Sequence, residues 1–227
     1  MKIKWLGQSG YILSDGKVEI CLDPYLSDVV NRVAGRKRMM ASPIKPKELK
    51  SDLIICTHNH LDHLDPDAIA QMETESKIFY APSDCHQTLL DLGVKNYVPF
   101  DIGSKANAGN FEFEAVFADH TVPAIGLIIR YDGVIFYFSG DTYYHQRLEQ
   151  LKEYQVDLMF VCINGKLGNM TVREAVSLTN IIKPKVGIPN HWGMFASNTE
   201  DPRLYTEQIE NGFIMEFNRE YNLEEVR

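Results

Sequence analysis

Three observations on this chain of 227 residues predict an α/β fold with helices on the outer faces of its sheets. Leu53 to Cys56 and Leu158 to Ile163 are unbroken apolar runs, as expected of strands buried on both faces. Asp15-Gly16 and Asp132-Gly133 join apolar segments and carry the residue pair that tight hairpins favour. Beyond residue 138, strand-like runs alternate with helical patterns, which is the rhythm of parallel-sheet units.

In order, Ile3 to Leu6, Tyr11 to Leu13 and Val18 to Leu22 read as strands joined by tight turns. A long connection from Pro24 to Lys50 carries the basic cluster Arg32, Arg36, Lys37 and Arg38, then Pro43 and Pro46. A connection of this length suits a lid or substrate-binding element as well as a solvated excursion. After the strand Leu53 to Cys56 comes a histidine-rich loop. Asp65-Pro66 then supplies an N-cap and first-turn pair for a short helix to about Met72. Lys77 to Tyr80 is strand-like, and Ser83 can cap a helix that Gly93 ends. Phe111, Phe113, Ala115 and Phe117 alternate, as on a half-buried strand. Ile125 to Tyr131 and Val134 to Phe138 form the second hairpin. His145 to Tyr154 reads as helix and Leu158 to Ile163 as buried strand. Thr171 with Glu174 makes a capping box for a helix to about Lys183. A strand from Lys185 to Ile188 and a last helix opened by Asp201-Pro202 complete the chain, which reads as one domain over 1–227.

Hydrophobic residues make up 44% and charged residues 24%, the balance of an ordinary globular protein. The net charge of -8 argues against a nucleic-acid partner, because phosphate backbones call for a broadly basic surface. It leaves room for a small anionic substrate held by one or two local cations. A homo-oligomer is compatible with this composition. The N-terminus lacks a signal-peptide core and no apolar stretch reaches membrane-spanning length, so a cytoplasmic protein without a membrane partner is expected. The 4 Cys form no C-x-x-C pair and read as buried small hydrophobes, with Cys162 held in reserve beside a functional loop.

The chemistry concentrates in Thr57-His58-Asn59-His60-Leu61-Asp62-His63, which follows the buried strand and holds three of the chain's 7 His. A tight loop at a strand end can aim several imidazoles at one point, which metal binding needs and folding does not. His120, Asp141 and His191 each follow another probable strand. Loops at one sheet edge converge on shared sites, and His58, His60, Asp62, His63, His120, Asp141 and His191 offer too many N/O ligands for one tetrahedral ion.

This pattern resembles the metallo-β-lactamase superfamily, whose marker His-x-His-x-Asp-His is matched by His58 to His63. The resemblance implies an αββα sandwich with metals at one edge of two sheets. Within the superfamily the chain is similar to the L-ascorbate-6-phosphate lactonase branch through Trp5 to Gly10, Thr57 to Asp65, Phe138 to Tyr144, Asn164 to Thr171 and Ile188 to His191. Position by position, it implies one metal on His58, His60 and His120, a second on Asp62, His63 and His191, and Asp141 bridging them. Asp23 matches an acidic residue that supports the histidine loop through hydrogen bonds. The wider superfamily implies Zn²⁺ and the lactonase branch Mn²⁺; imidazole and carboxylate ligands without thiolate also suit Fe²⁺.

The expected reaction is hydrolysis by a hydroxide held between two cations, with Asp62 accepting a proton, to open a lactone or related ester of a phosphorylated sugar acid. Asn164, Lys166 and Asn169 lie on a loop before a helix start and are candidates for holding an anion, as are Arg36, Lys37 and Arg38. Trp192 and Met194, beside His191, are candidates for the pocket wall. His145 reads as a helix-start cap and His86 as structural. The alternative is a phosphodiesterase acting on a phospholipid or a nucleotide, because His58 to Asp65 and Ser139 to Thr142 also resemble the N-acyl-phosphatidylethanolamine phospholipase D branch. A non-enzymatic metal scaffold is disfavoured by the complete ligand set.

Overall fold

The computed structural model describes residues 1–226. Their strands are β1 (Lys2–Gly7), β2 (Gly10–Ser14), β3 (Glu19–Leu22), β4 (Leu53–Ile55), β5 (Ile78–Ala81), β6 (Tyr97–Pro99), β7 (Lys105–Ala108), β8 (Phe111–Phe117), β9 (Ile125–Tyr131), β10 (Val134–Phe138), β11 (Leu158–Cys162), β12 (Val186–Asn190) and β13 (Glu220–Asn222). The α-helices are α1 (Val29–Ala34), α2 (Pro66–Ile69), α3 (His86–Asp91), α4 (Val172–Ile182) and α5 (Arg203–Thr206).

Among the described residues, one sheet runs β13-β1-β2-β3-β4-β5-β6 and the other β12-β11-β10-β9-β8-β7. Each combines an antiparallel half with a parallel half: β3 to β6 are parallel in the first, and β10 to β12 in the second. The inner faces meet in one core, with Trp5, Tyr11, Ile20 and Ile55 from the first sheet against Phe113, Leu127, Phe136 and Phe160 from the second. Outside the first sheet, Ile54 and Phe79 pack on Ala68 and Ile69 of α2 and Leu89 of α3. Outside the second, Tyr137, Met159 and Val161 pack on Ala175, Leu178 and Ile182 of α4. The result is the αββα arrangement. β4 and β11 are buried at every residue because both their faces are covered, which explains their unbroken apolar sequences. At the β9–β10 turn Asp132 and Gly133 have φ of 48° and 73°, the left-handed pair that a two-residue hairpin requires.

Some elements depart from the sequence reading. Strands β6, β7 and β13 were not expected, and all three are sheet edges. Each pairs on one side only, so its residues need little burial: β13 is Glu-Tyr-Asn with only Tyr221 buried. The 24–50 connection contains α1 and a short 3₁₀ turn at Pro46–Glu48. Gln146–Tyr154 forms a 3₁₀ helix, capped by the His145 ring, which accepts from the Arg147 amide. Ser83 does not cap through its side chain; its hydroxyl donates to Asp101 instead, and Pro82 occupies the cap position of the turn leading into α3. The Thr171–Glu174 capping box forms as expected. No helix among the described residues is long and apolar enough to cross a membrane.

Candidate metal centre

The connections after β3, β4, β8, β10 and β12 bring Asp23, the 58–63 loop, His120, Asp141 and His191 to one edge of the two sheets. This is where α/β sheets assemble sites, because loops leaving neighbouring strands share that edge. His58 Nε2 and His120 Nε2 each lie 3.1 Å from His60 Nδ1, so three ring nitrogens point at a common centre. Asp62, His63 and His191 form a second convergent set, with His191 Nε2 3.5 Å and His63 Nε2 3.9 Å from Asp62 Oδ2. Asp141 lies between the sets: its oxygens are 3.2 Å from His63 Nε2, 3.2 Å from His191 Nε2 and 3.9 Å from His120 Nε2.

The supporting hydrogen bonds suit metal-ready rings. Asp23 Oδ2 accepts from His63 Nδ1 at 2.7 Å and from the Thr57 hydroxyl at 2.8 Å, while Oδ1 accepts from the Thr57 amide at 2.7 Å. The Thr57 oxygen is 3.0 Å from His58 Nδ1 and can accept its proton. Asp23 thus keeps protons on both Nδ1 atoms, directly at His63 and through Thr57 at His58, so that Nε2 is the ring nitrogen each presents to the centre. His120 Nδ1 donates to the Gly168 carbonyl at 3.0 Å with the same result. Gly168 has φ 99°, and a Cβ there would sit 2.5 Å from the His120 ring, so only glycine allows the loop this close.

Burial, with help from the neighbouring histidines, lowers the pKa of His58 and His60; burial also lowers that of His120, and all three stay neutral. At His63 and His191 burial again opposes charge, but carboxylates outweigh it. Asp141, Asp23 and Asp62 hold His63 well above its ordinary value, and Asp141 with Asp62 raises His191 to about 9. Asp62 and Asp141 are correspondingly held below the usual carboxylate range against their own burial, chiefly by His63 and His191.

A divalent ion fits this donor set. His63 Nε2 and Asp141 Oδ1 are buried and only 3.2 Å apart, yet neither makes a hydrogen bond with the other or with any other group among the described residues, and both face the centre. Orphaned buried polar atoms are costly, and two in one cluster of imidazoles and carboxylates are explained by a shared cation.

Gln8, in the β1–β2 turn, was missed by the sequence reading. It is fully buried with φ 52°, and its Nε2 donates to Asp62 Oδ2 at 2.7 Å and lies 3.1 Å from His191 Nε2. Its one sequence signal was its place within Trp5 to Gly10.

The other candidates separate clearly. The Asn164 amide is buried and bonded to Asn198, and it accepts from Asn169, so it knits loops together. The Lys166 ammonium donates to the Ser197 carbonyl. Trp192 packs against Trp5 with ring centroids 4.7 Å apart and ring planes tilted by 33°. None of these three lines the cavity above the cluster, and neither does Met194, which is buried in the core. Arg38 is occupied by the carbonyls of Tyr25, Ser27 and Met40, leaving Arg36 of the basic cluster at the cavity. His86 stacks on Tyr97. Cys162 is buried, and burial pushes its thiol up to about 11, out of the range of a nucleophile.

A family model described as the beta-lactamase superfamily domain matches residues 19–192, a span that runs from β3 to His191. The chain belongs to the metallo-β-lactamase superfamily. Among curated relatives, a UPF0173 metal-dependent hydrolase of Archaeoglobus fulgidus is 29% identical, over 92% of this chain and 90% of that protein. One of Oenococcus oeni is 27% identical, over 98% of this chain and 100% of that protein. Igni18, a metallo hydrolase of Ignicoccus hospitalis, has the same fold, with a TM-score of 0.78, 23% identity and 97% of each chain covered. The lactonase branch is not singled out by these likenesses.

Proposed function

We propose that the chain is a metal-dependent hydrolase that opens a lactone or related carboxylic ester at a two-cation centre. The observation that carries this reading is the orphaned pair His63 Nε2 and Asp141 Oδ1, set between two convergent ligand sets at the floor of an open cavity. His58, His60 and His120 would hold one ion, Asp62, His63 and His191 the other, with Asp141 between them. Such ions, Mn²⁺, Zn²⁺ or Fe²⁺ by donor type, supply Lewis acidity and lower the pKa of water.

The protein's own groups do the rest. Asp23 and Gly168 O fix the ring orientations through the hydrogen bonds described. Of the two cavity-lining carboxylates, Asp62 is the more exposed, 18% against 6% for Asp141, and so is placed to take a proton from attacking water. His63, His191 and Gln8 keep it a weak base, so the proton passes readily to the leaving alkoxide. Arg36 can hold one anionic group of a small substrate.

The test is metal content by elemental analysis on a sample assayed against a sugar-acid lactone and bis-p-nitrophenyl phosphate. About two equivalents with lactone opening supports the reading. Cleavage of the phosphodiester alone replaces it by the phosphodiesterase alternative. No metal uptake after supplementation with Mn²⁺ and Zn²⁺ ends it.

A further inference from the structure

The cavity above the cluster encloses about 360 Å³, and its lining divides by chemistry. The floor is His60, Asp62, Asp141 and His191. The walls are Val30 and Ala34 of α1, Leu61, Leu167 and Phe195, all apolar. Thr121 and Asn198 are polar but uncharged. Among the described wall residues, above the histidine and aspartate floor, Arg36 is the sole cation, and it makes no ion pair or side-chain hydrogen bond. Its neighbours are committed elsewhere: Arg32 pairs with Asp67 at 2.7 Å, and Arg38 with backbone carbonyls.

We infer that the substrate is a lactone or ester with a hydrocarbon body and a single carboxylate, a deepening that rests on the lactone and ester reading above. The scissile carbonyl lies over the floor, the hydrocarbon along the five apolar walls, and the carboxylate on Arg36. One guanidinium satisfies both oxygens of a carboxylate through two parallel bonds. A phosphate's third oxygen and second charge would find no further cationic partner among the wall residues beside Arg36. A polyhydroxylated body would bury most of its hydroxyls against the five apolar walls, with only Thr121 and Asn198 to partner them, whereas each methylene covered there favours binding. The substrate is a free small molecule, and the contribution of the 24–50 connection is wall, through Val30 and Ala34, and anchor, through Arg36.

The experiment uses the metal-loaded full chain with γ-butyrolactone, γ-nonalactone, the γ-nonalactone analogue whose terminal methyl is replaced by carboxylate, and 6-phosphogluconolactone. Expected is a rise in kcat/KM of about fourfold for each methylene the walls cover. A further gain of about tenfold for the carboxylated analogue is expected from one charge-assisted pair. Arg36→Gln removes that last gain, and weakens binding of the carboxylated hydroxyacid product in calorimetry, without changing the nonalactone-to-butyrolactone ratio. Ala34→Glu and Leu167→Asp, at solvent-exposed positions that spare the core, lower that ratio. Lactone opening with no dependence on chain length, a preference for 6-phosphogluconolactone, or an equal effect of Arg36→Gln on neutral and anionic substrates overturns the inference alone. Absence of opening for every lactone overturns the lactone reading and the inference with it.

Discussion

Replacing Asp23 by Asn changes one atom in the network that holds the histidine loop. The backbone tolerates it, because Asp23 has φ 41° and Asn is among the residues that best accept the left-handed region. The amide oxygen can keep the 2.7 Å bond from the Thr57 amide. The amide nitrogen then replaces Oδ2, which accepts from His63 Nδ1 at 2.7 Å and from the Thr57 hydroxyl. A donor facing a donor is repulsive, so His63 shifts its proton to Nε2, the atom that faces Asp141 and the second ligand set. The lost bond is buried and charge-assisted, a class that contributes about 1.5–3 kcal/mol. At about 1.4 kcal/mol per factor of ten, that corresponds to about 10- to 100-fold weaker metal binding, the range seen when such supporting partners are removed. The assay is titration of metal-free wild type and Asp23→Asn with Zn²⁺ or Mn²⁺ against a competing chelator, with circular dichroism to verify the fold. Selective weakening of one ion is expected, because the Asp62, His63 and His191 set loses its tautomer control directly. A folded variant that binds the same number of ions with unchanged affinity would refute the argument.

Three further outcomes follow from the geometry. Gly168→Ala forces a Cβ against the His120 ring at a position of φ 99°, so metal content at the three-histidine set falls and the folded state is destabilised by about 1–2 kcal/mol, read by elemental analysis and thermal melting. Gln8→Ala removes the donor to Asp62 Oδ2 and lowers affinity for the second ion by about tenfold in the same chelator titration; unchanged affinity would show that Asp62 needs no such support. In chelator-treated protein, His191 is raised from 6.5 to about 9, so its stabilising charge is fully present below pH 6.5 and is lost as pH rises through 9. Chemical denaturation of that metal-free form should show stability declining between these values, and a flat or rising profile would contradict the Asp141 and Asp62 pairing.

Much of the architecture could be read from local pattern because the physics there is local. An apolar run such as Leu158 to Ile163 has one stable use, burial on both faces, and Asp132-Gly133 has a backbone preference that neighbours need not supply. The edge strands β6, β7 and β13 could not be read, since their hydrogen bonds come from a neighbouring strand and their side chains carry little pattern. The seven histidine and aspartate candidates were visible by residue type and by their place after strands, and the structure brings them all to one centre. Lys166 and Trp192 had suitable chemistry for substrate contact, but the loops turn them toward Ser197 and Trp5.

The chain's sequence by itself determined the α/β class, the buried strands and the kinds of ligand available, because these follow from side-chain polarity and spacing within a few residues. Only the tertiary structure decided which loops meet. Gln8 and His191 stand 183 positions apart yet touch, because β1 and β12, in different sheets, deliver their ends to the same edge of the sandwich. It also decided that Asp23 speaks to both His58 and His63, and that α1 and Arg36 wall the cavity. Those relations depend on strand pairing and sheet packing over long sequence separations, where burial of the shared core sets the distances and no local pattern records them.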